Sequence, residues 1–525
     1  MTNITLKDRL TSALFSAESM HSIVVFRIAY GLIMLWELIR YIDKGWIKKY
    51  YVDPQFHFTY EFFDWVKPWS GNGMELHFYA MVIFSLMIIF GLYFRTASVL
   101  MFLSFTYVFL LEQARYLNHF YLIVLVSFLM MFIPASRTFS LDAIRKKKQI
   151  KTTLIPRWCV FLLQFQIGAA YFFGGIAKLN TDWLFLAEPL KHWLAENKNY
   201  PLIGQFFTEP WVAYFMSWNG MLLDVLAPFL LMYRKTRPYM YAAVLGFHFI
   251  NDRLFSIGIF PWFMILASTI FFPSDWFARM MRVYSTAGKQ RTYGILGMMT
   301  TTAICLYLHP KFEIVPTAIA ALSGAILVWL FIDRSAAAEQ AAPDQPDAEP
   351  SSHFTYSSAV VGLLALWMLL QCIIPLRHFG IPGNSSWTEE GHRFSWHMKL
   401  RGKSAAVKFY AYDPVAHKKF EIETQNYLKR WQADKMSTRP YMIHQYAQHL
   451  QDIIQKSNRG TFEIRVEAYV SMNYRPPQLL IDSTVNLARQ EYSDLRRNHW
   501  ILPLDENALP TPYDAGESKE DNQNE

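Results

Sequence analysis

Residues 158–180 read WCVFLLQFQIGAAYFFGGIAKLN. No charged side chain appears from Trp158 to Ala177, and then Lys178 follows. Crossing the hydrocarbon core of a bilayer takes about 20 helical residues. The stretch therefore reads as a membrane-spanning helix that ends on an amine. Similar runs recur to either side, near Ser22–Ile39, His77–Tyr93, Ala97–Leu111 and His119–Ile133, then Trp211–Met232, Tyr239–Ile250 and Ile257–Phe272, and finally Tyr293–Leu308, Ile314–Ile332 and Ser358–Pro375. Together they predict a polytopic α-helical membrane protein of about 9–11 spans, the seventh and eighth being short. Composition agrees. Hydrophobic residues make up 53% of the 525-residue chain and aromatics 17%. Charged residues are only 18%, below the quarter or so of a soluble domain. Mean hydropathy is a modest +0.11, so an ordinary polar part is averaged with the apolar one.

The charges set an orientation. Arg145-Lys146-Lys147-Lys148, between the fourth and fifth runs, is the densest basic loop. Placing it in the cytoplasm leaves roughly eighteen basic residues inside against about ten outside, the bias that membrane insertion follows. The N-terminus is then cytoplasmic and everything after Pro375 lies outside. The first run follows Lys7 and Arg9, carries Arg27 and Glu37, and lacks a small-residue cleavage site, so it reads as a retained helix. The domain plan is a membrane domain over 1–375, with a flexible Ala/Pro/Asp/Glu-rich loop at 335–352. An extracytoplasmic α+β domain follows over 376–505, and a short acidic, disordered tail over 506–525. In the outer domain Val407–Tyr412 and Phe462–Val470 alternate as strands do. Tyr441–Lys456 carries apolar residues at helical spacing.

Some function classes drop out. The net charge of +8 is topological, which leaves no case for nucleic acid. Cys159, Cys305 and Cys372 all lie within apolar runs, so they form neither a disulfide framework nor a metal-ligand spacing. No metal is expected. His444 and His449, five apart in the outer domain, read as exposed helix residues.

Ionisable groups in a bilayer are costly and mark function by default. Three clusters stand out. Asn118-His119 opens the fourth run, Lys178 closes the fifth, and His248, Asn251, Asp252 and Arg253 sit between the seventh and eighth. The loop charges put all three near the outer leaflet, where they can converge on one pocket. An amine enclosed by apolar groups gives up its proton readily and can serve as a general base. Histidine and asparagine beside it can donate hydrogen bonds to a developing anion. Phe, Tyr, Trp and the Gly174-Gly175 pair would shape a flat apolar slot for a ring-shaped lipid-soluble substrate. Each residue also has a plainer reading. Lys178 can snorkel to the interface, His119 can pack, His248 can tie two helices together, and Asp252-Arg253 can form a local ion pair.

Four segments carry a resemblance to a known family. They are YLNHFYL at 116–122, YFFGGIAKLNTDW at 171–183, FHFINDRLFSIGIFPWFMILAS at 247–268 and WTEEGHRFSWHM at 387–398. In these the chain resembles the vitamin K-dependent γ-glutamyl carboxylases, specifically bacterial relatives built on the horizontally transferred transmembrane domain. The resemblance implies an enzyme of the bacterial cytoplasmic membrane. Its lysine, here Lys178, deprotonates vitamin K hydroquinone or a related menaquinol as co-substrate. Dioxygen then converts the anion to a strongly basic oxygenated species, which removes a γ-proton from a peptide glutamate. The carbanion captures carbon dioxide and the quinone leaves as the epoxide. By the same resemblance His119 is catalytic alongside Lys178, Asn118 hydrogen-bonds the quinone, and His248 and Asn251 line its pocket. Trp387 and Trp396 are structural. The implied partners are the bilayer, the lipid-borne quinol and a glutamate-containing peptide. Two features depart from the animal enzymes. No cysteine lies outside the apolar runs, so the disulfide that joins their two domains is absent, and His392 and Phe394 stand where they carry tyrosines. Alternatives are a quinol epoxidase without peptide carboxylation, a quinone-dependent enzyme with a non-peptide substrate, and a non-enzymatic transporter or sensor for a lipid-soluble ligand.

Overall fold

A computed structural model describes residues 6–146, 154–200, 203–255, 257–286, 288–308, 313–339, 354–355, 357–457 and 462–512. Among the described residues, seven helices are long and apolar enough to cross a bilayer: His21–Asp43, Gly73–Phe90, Phe94–Leu111, Trp158–Ile176, Pro210–Met232, Ile314–Arg334 and Ser358–Gly380. The protein is a mostly helical integral membrane protein with a β-sheet region toward its C-terminus. Lys147 and Lys148 lie outside the described residues, as do most of the loop expected at 335–352 and of the tail expected at 506–525. The helix Ile314–Glu339 runs on into the start of that loop.

The other four apolar runs are also helical but differ from full crossings. Arg237–Phe255 and Gly288–Leu308 have the length, at 19 and 21 residues, but mix in polar side chains. Asn118–Met130 has 13 residues and Phe260–Ala267 has 8, the latter extended by a tighter turn to Phe271. Thirteen residues rise roughly 20 Å, short of the roughly 30 Å hydrocarbon layer. The expected 9–11 spans thus comprise seven long apolar helices, two more of spanning length that are less apolar, of which Gly288–Leu308 is mostly exposed, and two short ones. Burial explains why the short ones are tolerated. Ten of the thirteen residues of Asn118–Met130 are buried, as are seven of the eight in Phe260–Ala267. Helices enclosed by protein need not match the thickness of the lipid.

One close crossing positions the site. A Cβ on Gly175 would fall 2.8 Å from Val225 N and 2.5 Å from Val225 Cγ2. The helices Trp158–Ile176 and Pro210–Met232 therefore meet backbone to backbone, as small residues permit within membranes. That contact sets Asp224, one residue before Val225, against the end of the helix that carries Lys178.

The outer region is built on a four-stranded antiparallel sheet in the order Lys418–Ile422, Lys403–Asp413, Glu463–Met472, Gln478–Leu479. Phe409 pairs with Val466 in its centre. Ile464, Val466, Ala468, Val470 and Met472 alternate inward, and the helix Pro440–Lys456 covers them with Met442, Ile443, Tyr446 and Leu450. His444 differs from expectation. It is buried on this helix, stacks on Trp500 and shares a hydrogen bond with the Gln490 carbonyl, because the chain after the sheet folds back over that face. His449 is half-buried against Phe56.

The C-terminal sheet region is tied to the membrane part by charge. Asp182 accepts two hydrogen bonds from Arg475, at 2.7 and 2.8 Å, and one from Asn473 Nδ2 at 2.7 Å. Bidentate carboxylate–guanidinium pairs are among the strong polar contacts. The segment from Trp387 onward also divides between the two parts. Trp387 lies in the outer core and donates to the Leu502 carbonyl, whereas Trp396 is fully buried among the membrane helices and packs 5.1 Å from Tyr121.

Candidate active site

Lys178 does not reach toward the interface. Its amine is buried and donates to Asp224 Oδ2 at 2.6 Å and to the Gly174 carbonyl at 3.0 Å. The Trp183 ring lies 5.8 Å from the same nitrogen. A Cβ on Gly174 would come within 2.9 Å of Met398 Cε, the movable end of a flexible side chain, and 3.7 Å from Asp224 Oδ2. The Lys178–Asp224 pair lines a mainly apolar cavity of about 640 Å³, together with Tyr171, His248, Asn251 and Phe260.

His248 belongs to a short chain of hydrogen bonds. Ser268 Oγ donates to the Met264 carbonyl at 2.8 Å, Tyr171 Oη lies 3.1 Å from Ser268 Oγ, and His248 Nε2 lies 2.9 Å from Tyr171 Oη. Each hydroxyl has one proton to give. With the serine proton on the carbonyl and the tyrosine proton on the serine, Nε2–H of His248 is the donor to Tyr171. Nδ1 then carries a lone pair, and it is buried without a hydrogen-bond partner among the described residues. A buried acceptor left open in this way is an uncommon feature of folded proteins.

Asn118 and His119 line a second cavity of about 440 Å³. Phe260 separates the two histidines. Its ring lies 5.8 Å from that of His119, nearly parallel, and 6.2 Å from that of His248, edge on. The three sequence clusters thus converge on one region but not on one pocket. His248 and Asn251 share the Lys178 cavity, and Asn118 and His119 occupy its neighbour. Asn118 is already engaged, donating to the His397 carbonyl at 2.9 Å and accepting from Tyr116 Oη at 3.0 Å. Asp252 and Arg253 line neither cavity but a third, beside Arg40 and Cys305.

The second cavity is strongly cationic. Arg40, Arg115, Arg393, Lys399, Arg401 and Arg439 line it against two carboxylates, Glu37 and Glu389. The segment that supplies much of this wall is held in an unusual backbone form, with Glu389, Phe394, Trp396 and Lys399 all at positive φ. Such conformations are costly for residues with a Cβ and gather at functional sites. Glu389 is its anchor. Arg401 closes on both oxygens at 2.8 and 2.6 Å, and Lys403 joins at 2.7 Å. Among the described residues, no group of three or more His, Cys, Asp or Glu side chains is placed to hold a metal ion.

Asp224 and Lys399 were not singled out from sequence. Asp224 had a signal, as the one acidic side chain in PWVAYFMSWNGMLLDVLAPFLLM at 210–232. Lys399 had none, since only the fold brings its segment to the wall of both cavities. Comparison with known proteins matches residues 15–276 to the HTTM domain and residues 356–507 to the vitamin K-dependent gamma-carboxylase, lumenal domain. No solved structure matches the chain.

Proposed function

The chain belongs to the vitamin K-dependent γ-glutamyl carboxylase family, and from that premise we propose that it couples oxygenation of vitamin K hydroquinone, or a related quinol, to γ-carboxylation of glutamate. The observation that carries this reading is the Lys178–Asp224 pair in the wall of a mainly apolar cavity. The cavity suits a flat lipid-borne ring. Apolar side chains make up most of its wall, with Lys178, Asp224, His248 and Asn251 among the few polar groups.

The roles follow from the hydrogen-bond inventory. Passing a proton from Lys178 Nζ to Asp224 Oδ2 leaves the amine with a lone pair. A hydroquinone O–H can then transfer its proton to that nitrogen, and the ammonium formed stays beside the oxygen anion it created. His248 lines the same cavity, and Tyr171 and Ser268 hold its imidazole in one tautomer, with the proton on Nε2. Asn251 lines it too. Reaction of the hydroquinone with dioxygen supplies the strong base for the γ-proton and yields the epoxide. Shielding from bulk water keeps that base from being quenched. His119 and Asn118, beyond Phe260, fall on the side where the acceptor enters, and the cationic wall there suits a carboxylate.

The membrane placement proposed is that of a bacterial cytoplasmic membrane protein, with the N-terminus inside and the sheet domain outside. A peptide then reaches the cationic cavity from the aqueous side and the quinol reaches its cavity from lipid. The deciding experiment incubates purified protein with reduced vitamin K and oxygen and looks for the 2,3-epoxide. A short glutamate peptide with labelled bicarbonate then separates carboxylation from epoxidation alone. Absence of epoxide from the folded protein refutes the reading.

A further inference from the structure

Lys399 lies where the two cavities meet. Of the charged side chains lining either space, it is the one that lines both, and it shares that wall with Phe255, Ile257, Phe260 and Met398. Its side chain is exposed into this space. The amine stands 5.6 Å from the Trp193 ring and 5.2 Å from the Phe255 ring. Among the described residues it has neither a hydrogen bond nor an ion pair. Its cationic neighbours are otherwise mostly compensated. Arg40 holds Glu37 at 2.7 Å, Arg401 holds Glu389 at 2.6 Å, and Arg393 reaches Asp494 at 3.4 Å. Arg115 and Arg439 add positive charge without a carboxylate of their own among the described residues. A cluster of cations lacking counter-ions, opening onto a cavity, is a site for an anion.

We propose that Lys399 binds the side-chain carboxylate of the acceptor glutamate and sets the specificity for that group, holding it at the opening between the cationic cavity and the quinol cavity. The inference rests on the reading of the quinol cavity above. It adds a chemical role to position. When the γ-C–H bond breaks, its proton goes to the base generated in the neighbouring cavity, and the electron pair left on carbon spreads onto the carboxylate oxygens. A cation already in contact with those oxygens stabilises the charge as it grows. The new C–C bond then forms as that pair attacks carbon dioxide, and the second carboxylate produced faces the same cationic wall. Partial loss of water beside the neighbouring protein lowers the Lys399 pKa below the ordinary lysine value, so an arriving anion would favour its protonated form.

The test uses full-length protein in nanodiscs without quinol. Calorimetry compares a blocked peptide containing one glutamate with its glutamine twin. Wild type is expected to favour the glutamate peptide. Lys399→Met is expected to weaken that peptide by about tenfold or more, the scale of a lost charge-assisted contact, and to bind the glutamine twin as wild type does. Lys399→Arg should keep most of the preference. In turnover, Lys399→Met should raise KM for the glutamate peptide about tenfold while KM for the quinol moves less than about twofold. Methionine accepts the same positive-φ position as lysine, and an unchanged melting temperature identifies a folded variant. A wild type indifferent between the two peptides, or a Met variant that keeps the preference, overturns the proposal. Failure to form epoxide would sink the quinol reading instead, and the binding comparison would still decide Lys399.

Discussion

The Lys178 amine and the Asp224 carboxylate, 46 residues apart in the chain, meet at 2.6 Å inside the membrane part of the protein. Their meeting depends on Gly175, whose missing side chain lets the two helices touch through the Val225 backbone. Two charges removed from water repay that cost only with close geometry and further hydrogen bonds. The Gly174 carbonyl supplies one of these to the amine. The pair is therefore a costly feature kept in a mainly apolar wall, which is why we assign it to the chemistry.

Removing one partner and removing both should differ. Lys178→Ala is expected to abolish epoxide formation. Asp224→Ala leaves the amine unpaired and should lower stability by about 3–5 kcal/mol, read as a fall in Tm in detergent. The double variant Lys178→Met/Asp224→Leu should regain most of that Tm without regaining activity. Epoxide produced by the double variant would rule out the pair as the proton acceptor.

Phe260 is the partition between the two cavities, ring to ring with both histidines. Phe260→Ala should widen the opening between the cavities and admit water to the quinol side. Epoxide should still form, but the ratio of carboxylated peptide to epoxide should fall several-fold. An unchanged ratio would mean that Phe260 does not separate the two half-reactions.

Much of this arrangement was legible in the sequence, for physical reasons. Length and apolarity identify a helix such as Trp158–Ile176 without tertiary information, because lipid imposes both. Lys178, His248 and Asn251 were visible because polar groups in such runs need a reason to be there. Asp224 met the same criterion but stands alone in its run, with no polar neighbour in sequence to mark it. The division of the site was not legible. His119 is parted from His248 by one phenyl ring, and nothing in the order of residues says which way Phe260 turns. Asn118–Met130 and Phe260–Ala267 read as membrane segments, but only burial explains their shortness. His444 looked exposed because its own helix does not reveal that Trp500 folds over it.

The Asp182–Arg475 clamp occupies the junction of membrane and outer parts, and the chain has no cysteine there to do the work of a disulfide. Both side chains are nearly fully enclosed, so breaking the pair should cost about 3–5 kcal/mol. Arg475→Met is expected to loosen the outer region. Limited proteolysis should then release a fragment carrying the sheet at protease levels that leave wild type intact. Equal resistance in the two proteins would mean that the junction is held chiefly by apolar packing.

The outer segment also predicts acid sensitivity, with a sign that can be worked out. Burial works against ionisation of Glu389, but Arg401 and Lys403 outweigh it and hold the carboxyl down at about 2, against an ordinary 4.5. His397 is pushed to about 3 by burial, then by His378 and Arg401, against an ordinary 6.5. Burial and Arg401 also hold His392 well below its usual value. In all three cases the unfolded chain takes up a proton at a higher pH than the folded one. Stability therefore rises with pH across these windows and is lost on acidification. The loss should begin as pH falls below about 6.5, through His392 and His397, and continue from about 4.5 toward 2 as Glu389 protonates. Glu389 alone accounts for about 3 kcal/mol of it. Trp387 and Trp396 flank these groups, so tryptophan fluorescence during thermal melts between pH 7.5 and 4 can follow the effect. His397→Gln should flatten the limb between about 6.5 and 3, because the histidine that titrates only in the unfolded chain is then gone. A melting temperature that does not change from pH 7.5 to 5 would show that these imidazoles are not held neutral in the folded protein.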